Sequence, residues 1–206
     1  MQSPRRNRDE EILAAAIQVF SQKGYAAASL QDVADAVGLL KGSLYHYISS
    51  KESLLYRIFQ ESHEEGSALM AAVDELGLPP DAKLREFVRR LTLFYEQNRE
   101  RASLYFGEWR HLTGEDRETV MEQRRDFELY VRTMISDAHE AGLTDPGLDV
   151  KLATRYILTG VNGVILWYRP EGPLPAEDIA EQIAELACSS ILRRKRAAGR
   201  KGTSAA

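Results

Sequence analysis

Apolar residues recur every three or four positions along most of this chain, which is the spacing of amphipathic helices. In the first such segment Ile12, Ala16, Val19 and Phe20 lie on one stripe, and Gly24 follows where a helix often ends. The pattern predicts an all-α chain without internal repeats. The predicted helices cover residues 8–22, 30–37, 41–47, 51–76, 81–98, 101–112, 115–141, 150–168 and 179–191.

Two short helices between residues 28 and 55 carry the clearest functional pattern. Ser29 and Asp32 have the spacing of a capping box, so they predict a helix start. Gly38 supplies the left-handed backbone that a sharp turn needs, and Leu39 is the apolar residue expected beneath that turn. A second helix over 41–47 then has one packed side and one free side. This arrangement predicts a helix-turn-helix unit that reads DNA.

The end of the second helix, Leu44-Tyr45-His46-Tyr47, resembles the recognition helix of TetR-family transcriptional regulators. The run from Ser50 to Leu55 resembles the start of that family's long connecting helix. The resemblance covers about the first quarter of the chain. It implies a three-helix DNA-binding domain at 1–57, joined by the long helix to an effector-binding and dimerisation bundle at 58–196. A basic tail at 197–206 would follow.

The resemblance also implies which residues meet DNA, with the recognition helix in the major groove and the others nearer the backbone. Tyr45 has an alternative role in the core, because aromatic residues at helical spacing often pack. Leu40 stands where the family usually has Ser or Thr as a helix cap, and Ile48 replaces the usual Phe. The predicted DNA-binding residues are Ser29, Gln31, Lys41, Gly42, Ser43, Tyr45, His46, Tyr47 and Lys51.

The net charge of −4 is unevenly distributed along the chain. Residues 1–57 carry +1, residues 193–206 carry +6, and the segment between them carries −11. Phosphate would repel such an acidic body, so binding through the N-terminal face is favoured. The basic tail either contacts DNA or is a solvated helix end that complements the helix dipole.

Two C-terminal helices, over 150–168 and 179–191, each present a strongly apolar stripe. Gly160 and Gly163 would allow close approach of another helix. In the family the corresponding pair forms a four-helix interface with a second copy, so the resemblance implies a homodimer on a palindromic operator. An ordinary core within one chain is the alternative. The predicted dimerisation residues are Val161, Val164, Tyr168, Ile183, Ala187 and Ile191.

Eleven aromatic residues lie between positions 87 and 168. They favour an apolar cavity for a small hydrophobic effector, although plain core packing would use the same residues. Trp167-Tyr168-Arg169-Pro170 resembles a hairpin in family members that respond to acyl-CoA thioesters, and hints at a similar ligand. Phosphates would then pair with Arg110, Arg124, Arg155 or Arg169. The predicted ligand-binding residues are Phe94, Tyr105, Trp109, Phe127, Tyr130, Met134, Tyr156 and Asn162.

Other functional classes find little support in the sequence. Cys188 is the single cysteine, which excludes an intrachain disulfide and a thiolate zinc cluster. Glu108 and His111 form one Glu-x-x-His unit, whereas helical di-iron proteins need two. No apolar run reaches the roughly 18 residues that span a bilayer, and no signal peptide is evident. We therefore expect a cytoplasmic protein without cofactor, metal or catalytic residues.

The sequence thus predicts a homodimeric DNA-binding repressor that a small hydrophobic ligand releases from a palindromic operator. Two alternatives remain open at this point. One is a constitutive DNA-binding protein without an effector, and the other is a helical-bundle ligand carrier or enzyme.

Overall fold

The chain is built from ten α-helices and one 3₁₀ turn over the residues that the structure describes, which confirms the predicted all-α fold. The computed structural model describes the backbone of residues 4–193 and the side chains of 8–193, so the predicted tail at 197–206 lies outside it. The helices are α1 Pro4–Lys23, α2 Leu30–Ala36, α3 Lys41–Leu44, α4 Lys51–Asp74, α5 Pro80–Gln97, α6 Arg99–Gly107, the 3₁₀ turn Trp109–His111, α7 Gly114–Glu140, α8 Val150–Asn162, α9 Val164–Trp167 and α10 Ala176–Ile191.

Three of the predicted helices end early or divide. The helix predicted over 41–47 ends at Leu44, because His46 and Tyr47 donate to carbonyls only three residues back, as in a tight turn. The helix predicted over 101–112 divides at Glu108 into α6 and the 3₁₀ turn. The helix predicted over 150–168 divides at Gly163, where glycine lowers the cost of interrupting a helix.

Two large hydrophobic clusters organise these helices, and α4 contributes to both; a third, small cluster joins Val164, Tyr168 and Ile179. Leu54, Leu55, Ile58 and Phe59 belong to the N-terminal cluster, and Val73 belongs to the C-terminal one. Each fully buried side chain of this kind contributes about 1.5 to 3 kcal/mol relative to exposure. A rigid helix therefore joins the two halves through packed side chains at each end.

The N-terminal cluster extends beyond the first three helices. Leu104 of α6, Leu112 after the 3₁₀ turn and Val120 of α7 are buried in it. These residues lie well past position 57, so the second half of the chain packs directly on the helix-turn-helix unit. The C-terminal cluster is formed mainly by α5, α7, α8 and α10.

Candidate nucleic-acid interface and internal cavity

Helix α2 begins at the predicted capping box. The Asp32 amide donates to Ser29 Oγ at 3.2 Å, and the Ser29 amide donates to Asp32 Oδ2 at 2.8 Å. Lys23 donates to the other carboxylate oxygen at 2.5 Å. Hydrogen bonds from Lys23 and then from Ser29 hold the pKa of the Asp32 carboxyl well below its usual range. Ser29 thus fixes the start of α2 through its side chain.

The turn between α2 and α3 has the geometry that the sequence predicts. Gly38 has a φ of 64°, and the Leu39 amide donates back to the Ala34 carbonyl at 2.8 Å. Leu44 of α3 is fully buried in the same cluster as Val33 of α2. The buried side of α3 therefore fixes its orientation and leaves the opposite side accessible.

The accessible side of α3 carries most of the predicted recognition residues. Lys41, Gly42 and His46 are exposed, and Tyr45 is 50% exposed, so Tyr45 does not belong to the core. Ser43 is half-buried. Tyr47 is also half-buried and packs against the N-terminal cluster, which leaves it less surface for a ligand.

Two residues predicted to lie near the DNA backbone are engaged within the chain. The Lys51 ammonium lies 4.2 Å from the centre of the Tyr25 ring and donates to the Ala26 carbonyl at 3.4 Å. Desolvation lowers the pKa of this ammonium. Gln31 donates to Asp35 at 2.7 Å. These contacts position both side chains at the edge of the α2–α3 surface.

An internal cavity of about 340 Å³ lies between α4, α5, α6, α7 and α8. Leu91, Phe94, Tyr95, Phe106 and Phe127 supply much of its apolar wall. Its volume is at the small end of the range for small-molecule sites, about 300 to 1,000 Å³. The cavity therefore suits a compact hydrophobic group.

Half of the eight predicted ligand-binding residues line this cavity, namely Phe94, Tyr105, Phe127 and Asn162. The remaining four lie elsewhere, each for a visible reason. Trp109 packs against the N-terminal cluster, and Met134 is buried in the C-terminal core. Tyr130 donates to Asp74 at 2.7 Å and packs against the Phe87 ring, and Tyr156 is 64% exposed.

The polar part of the lining is dominated by arginine. Arg124 and Arg155, which the sequence suggested, line the cavity, and Arg110 and Arg169 do not. Arg101 and Arg125 also line it and were not predicted. With Glu128, the four arginines give the lining a net charge of +3, in contrast to the acidic segment around it. This electrostatic environment favours an anion.

The four arginines differ in how freely they can meet a ligand. Arg101 is almost buried and donates to both Glu65 carboxylate oxygens, so its charge is compensated. Arg124 donates to the Tyr105 carbonyl at 2.9 Å, and its guanidinium lies 5.2 Å from the centre of the Tyr105 ring. Arg155 lies 4.0 Å from Glu128 and is largely exposed. Arg125 is exposed as well. Arg125 and Arg155 are therefore the arginines most available at the cavity rim.

Contacts connect the cavity wall to the helix-turn-helix unit. The Tyr105 ring lies 5.2 Å from the Phe59 ring of α4, edge to face. The Thr113 amide donates to Glu52 at 2.7 Å, and the rings of Tyr25 and His111 are 4.9 Å apart. The ends of α6 and α7 thus touch α4 and the α1–α2 connection directly, in addition to the covalent link through α4.

The six predicted dimerisation residues lie in the interior of the single chain. Val161, Val164, Tyr168, Ala187 and Ile191 are buried within the chain, and Ile183 is half-buried against the same clusters. Their stripe faces inward because α10 packs against α5 and α8 packs against α7. Large hydrophobic residues on the outward faces remain exposed. They are Leu152 and Tyr156 of α8, Leu166 and Trp167 of α9, and Leu186 of α10, and we call them the outer patch.

The described residues contain no cluster that could hold a metal ion. Within 4–193 no group of three or more His, Cys, Asp or Glu side chains is placed to hold a metal ion. His111 contacts Glu108 at 3.2 Å, as an isolated pair. The helices of this part of the chain also include none that is long and apolar enough to cross a membrane.

Similar proteins match most of the length of this chain. The transcriptional repressor KstR2 of Rhodococcus jostii strain RHA1 is 28% identical over 195 residues, which are 92% of this chain and 93% of that protein. The solved TetR-family regulator PfmR from Thermus thermophilus is 33% identical with a TM-score of 0.76, covering 86% of this chain and 97% of that one. AibR, solved with isovaleryl coenzyme A and operator DNA, is 25% identical with a TM-score of 0.80, covering 87% and 97%.

Two models of the same protein family match the two halves of the chain. "Bacterial regulatory proteins, tetR family" matches residues 12–58, which include α2, α3 and the turn at Gly38. "Tetracyclin repressor-like, C-terminal domain" matches residues 77–191, which include most of the cavity wall. The chain therefore belongs to the TetR family of DNA-binding transcriptional regulators, which are not enzymes.

Proposed function

We propose that this regulator is a homodimeric repressor that an anionic, hydrophobic small molecule releases from a palindromic operator, and that the effector is an acyl-CoA thioester. The observation that carries the proposal is a cavity whose wall is aromatic and whose lining has a net charge of +3. An acyl group fits the apolar wall, and the phosphates of coenzyme A fit the arginines at the rim.

Similar proteins support this class of effector. AibR binds isovaleryl coenzyme A, whose acyl group is compact, and its fold matches this chain with a TM-score of 0.80. The polar groove beside the cavity, lined by Arg117, Glu118, Glu122 and Arg125, shares Met121 and Arg125 with it. A ligand with a small apolar end and a long charged end is therefore accommodated along α7.

For DNA recognition we propose Lys41, Gly42, Tyr45 and His46 as the main contacts, because they form the exposed side of α3. Ser43 and Tyr47 contribute their accessible parts. Ser29, Gln31 and Lys51 lie at the margin and support phosphate contacts from there. Two such surfaces about 34 Å apart would read successive major grooves, so we expect an operator with inverted symmetry.

For the dimer we propose the outer patch as the interface. Leu152 and Tyr156, one turn apart on α8, are exposed, as are Trp167 of α9 and Leu186 of α10. Gly160 is exposed between them, with open space around the position of a Cβ atom, so a second helix can approach closely there. Covering this face with a second copy would bury side chains that one chain leaves in water.

The effector must prefer the conformation in which the two recognition helices no longer fit the operator. A hundredfold preference corresponds to about 2.7 kcal/mol. The contacts of Tyr105 with Phe59 and of Thr113 with Glu52 provide a path from the cavity wall to α4. We propose that a change in the tilt of α4 and α6 couples the two sites.

The test is fluorescence anisotropy with a labelled DNA fragment from upstream of the chain's own gene. Isovaleryl-CoA and octanoyl-CoA should lower the affinity for this DNA, whereas free coenzyme A and the free acids should not. Arg155→Gln should weaken the response to the thioesters by about tenfold, because it removes a charged hydrogen-bond donor at the rim. Lys151→Gln, on the same helix outside the cavity, is the matched control.

Two results would contradict the proposal. Unchanged DNA affinity at saturating thioester would favour a constitutive DNA-binding protein without this effector. Full DNA binding by a Lys41→Ala, Tyr45→Ala double variant would contradict the assignment of α3 as the recognition helix.

A further inference from the structure

Three arginine side chains gather around a single indole ring between the 3₁₀ turn and α7. The guanidinium carbons of Arg110, Arg117 and Arg124 lie 4.5, 5.5 and 5.7 Å from the centre of the Trp109 ring. We call these four residues the Trp109 cluster. Arg110 and Arg117 are exposed, and Trp109 and Arg124 are half-buried, so a solute can reach the cluster. Three like charges around one ring repel one another unless a negative charge compensates them.

The protein itself does not compensate the two exposed arginines. Among the described residues, the side chains of Arg110 and Arg117 form neither an ion pair nor a hydrogen bond, and they contact the Trp109 ring instead. By contrast, Arg125 on the same helix has Glu122 at 3.7 Å. A ring face is a weaker partner for a guanidinium than an anion that accepts charge-assisted hydrogen bonds. The cluster is therefore suited to binding an anion.

The Trp109 cluster is connected to the cavity along α7. Arg117 also lines the polar groove beside the cavity, and Arg125 lines both the groove and the cavity. From Phe127 in the cavity wall to Arg117 is about 15 Å along the helix axis at 1.5 Å per residue. The pantetheine arm of coenzyme A is about 16 Å long when extended, at ordinary bond lengths. A thioester with its acyl group in the cavity can therefore bring its phosphates as far as the cluster.

The charge and position of the cluster indicate which phosphate it meets. Coenzyme A carries a diphosphate and, beyond it, a phosphate monoester on the ribose. The monoester has nearly two negative charges at pH 7 and three acceptor oxygens, so it needs more than one guanidinium. Arg125 at the cavity rim is nearer to the acyl group and is available to the diphosphate, whereas the Trp109 cluster lies farther along the groove.

We propose that the Trp109 cluster is a phosphate-monoester site, through which this regulator selects thioesters that carry the ribose phosphate of coenzyme A. Arg110 and Arg117 are its specificity-determining residues, because their charges are the uncompensated ones. This inference rests on the proposed function, since it assumes that the acyl group of a coenzyme A thioester occupies the cavity.

The test compares isovaleryl-CoA with isovaleryl-dephospho-CoA, which lacks only the ribose phosphate, by isothermal titration of the full chain. The complete thioester should bind the wild-type chain about tenfold more tightly, because it alone supplies the anion. The double variant Arg110→Gln, Arg117→Gln should reduce this ratio to about twofold or less. Arg132→Gln, on α7 about 22 Å from Arg117 and outside both the cavity and the groove, should preserve it.

The outcomes separate this inference from the proposed function. If both thioesters bind the wild-type chain equally, the phosphate site is overturned while the thioester effector stands. If the double variant keeps the tenfold ratio, other groups read the ribose phosphate and the proposal is again overturned. If neither thioester binds the wild-type chain, the proposed effector class fails and this inference fails with it. The wild-type comparison decides the matter even if the double variant does not fold.

DNA binding without effector tests the competing use of the same arginines. The double variant should keep the wild-type affinity for the labelled DNA fragment in fluorescence anisotropy. A loss of DNA affinity, together with an unchanged ratio between the two thioesters, would assign Arg110 and Arg117 to the DNA backbone and overturn the proposal.

Discussion

The helix-turn-helix segment and the α8–α10 pair both show strong helical patterns, yet only in the first do most of the residues that the sequence singled out lie on an accessible surface. In the segment from Ser29 to Leu44, the bonds that define the structure join residues three to five positions apart. In the α8–α10 pair, the partners of the apolar stripe are α5 and α7, which lie far away in the sequence. Local contacts can be read from residue spacing, whereas distant partners cannot.

The two regions also differ in what their apolar residues do. Leu44 and Val33 are buried, and the accessible side of α3 is mainly polar, so the division between core and surface is clear. In α8 and α10 both sides carry large apolar residues. Ile191 faces inward, and Leu186 faces outward at 65% exposure. An apolar stripe therefore predicts burial but does not say whether the same chain or a second copy provides it.

The largest expected effect separates the two sides of α10. Leu186→Glu places a charge in the proposed interface, and an unpaired buried charge costs about 3 to 5 kcal/mol, so we expect monomers that remain folded. Ile191→Ala should lower the free energy of unfolding by about 2 to 5 kcal/mol and leave the dimer intact. Sedimentation velocity and urea unfolding measure the two effects.

A matched control for the interface is Leu129→Glu, which changes an exposed leucine of α7 outside the outer patch. It should affect neither assembly nor stability. If Ile191→Ala dissociates the protein and Leu186→Glu does not, the inward stripe is the interface after all.

Much of the fold followed from the sequence because its helix ends are encoded locally. Ser29 with Asp32, and the left-handed glycines at positions 24, 38, 77 and 142, mark helix boundaries within a few residues. The breaks at Leu44 and Gly163 did not follow, because they depend on which of two nearby carbonyls an amide chooses. Packing against distant helices decides that choice.

The cavity was predictable only in part, for a related reason. Aromatic density located the region, and Phe94, Tyr105, Phe127 and Asn162 do line the cavity. Arg101 was missed because its partner Glu65 is 36 positions away. Arg125 could have been linked to the cavity from helical spacing, because it lies one turn after Met121 on α7 and both residues line the cavity. Which aromatic residues face the cavity depends on how five helices cross.

Tyr45→Ala tests the proposed DNA-recognition surface of α3. Tyr45 is half exposed, so its removal should leave thermal stability unchanged and weaken operator binding by about 1 to 3 kcal/mol, the range for one specific contact. Lys41→Ala should weaken binding to all sequences and reduce the salt slope by about 1. Anisotropy titrations at several salt concentrations measure both. A loss of stability in Tyr45→Ala, with normal DNA affinity, would return this residue to the core.

The buried carboxyl of Glu96, in the core beside the outer patch, should make the stability of the chain depend on pH. Its side chain is buried without a partner, and desolvation, with a smaller contribution from Glu177, raises its pKa to about 7. The folded chain therefore holds a proton that the unfolded chain releases between pH 4.5 and about 7, so this group makes stability fall as pH rises through that window. Desolvation, followed by the charge of Glu96, raises the pKa of Tyr168.

Glu96→Gln should abolish that loss and raise the free energy of unfolding by about 1 to 2 kcal/mol at pH 8. The gain is smaller than the full pKa shift implies, because glutamine also buries polar atoms without partners. The gain should disappear as the pH falls toward 4, where only the penalty for burying the amide remains. Glu100→Gln, an exposed change in the first turn of α6, is the control for urea unfolding across this pH range. If the free energy of unfolding changes with pH in the same way for the wild type and for Glu96→Gln, a partner neutralises the Glu96 carboxylate.

The smallest expected effect concerns the start of α3, which, unlike the start of α2 in the same helix-turn-helix unit, lacks a side-chain cap. Leu40 is the N-cap of α3, makes no side-chain cap bond, and is 80% exposed. Leu40→Ser supplies a hydroxyl that can accept from the first-turn amides, which should stabilise the chain by about 1 kcal/mol and raise the melting temperature by about 2 to 4 °C. Leu40→Ala removes the same exposed side chain without adding an acceptor, so it should give no such gain. Equal melting temperatures for the Ser and Ala variants would show that α3 is held by its buried side at Leu44 alone, and that its local capping, unlike that of α2, contributes nothing.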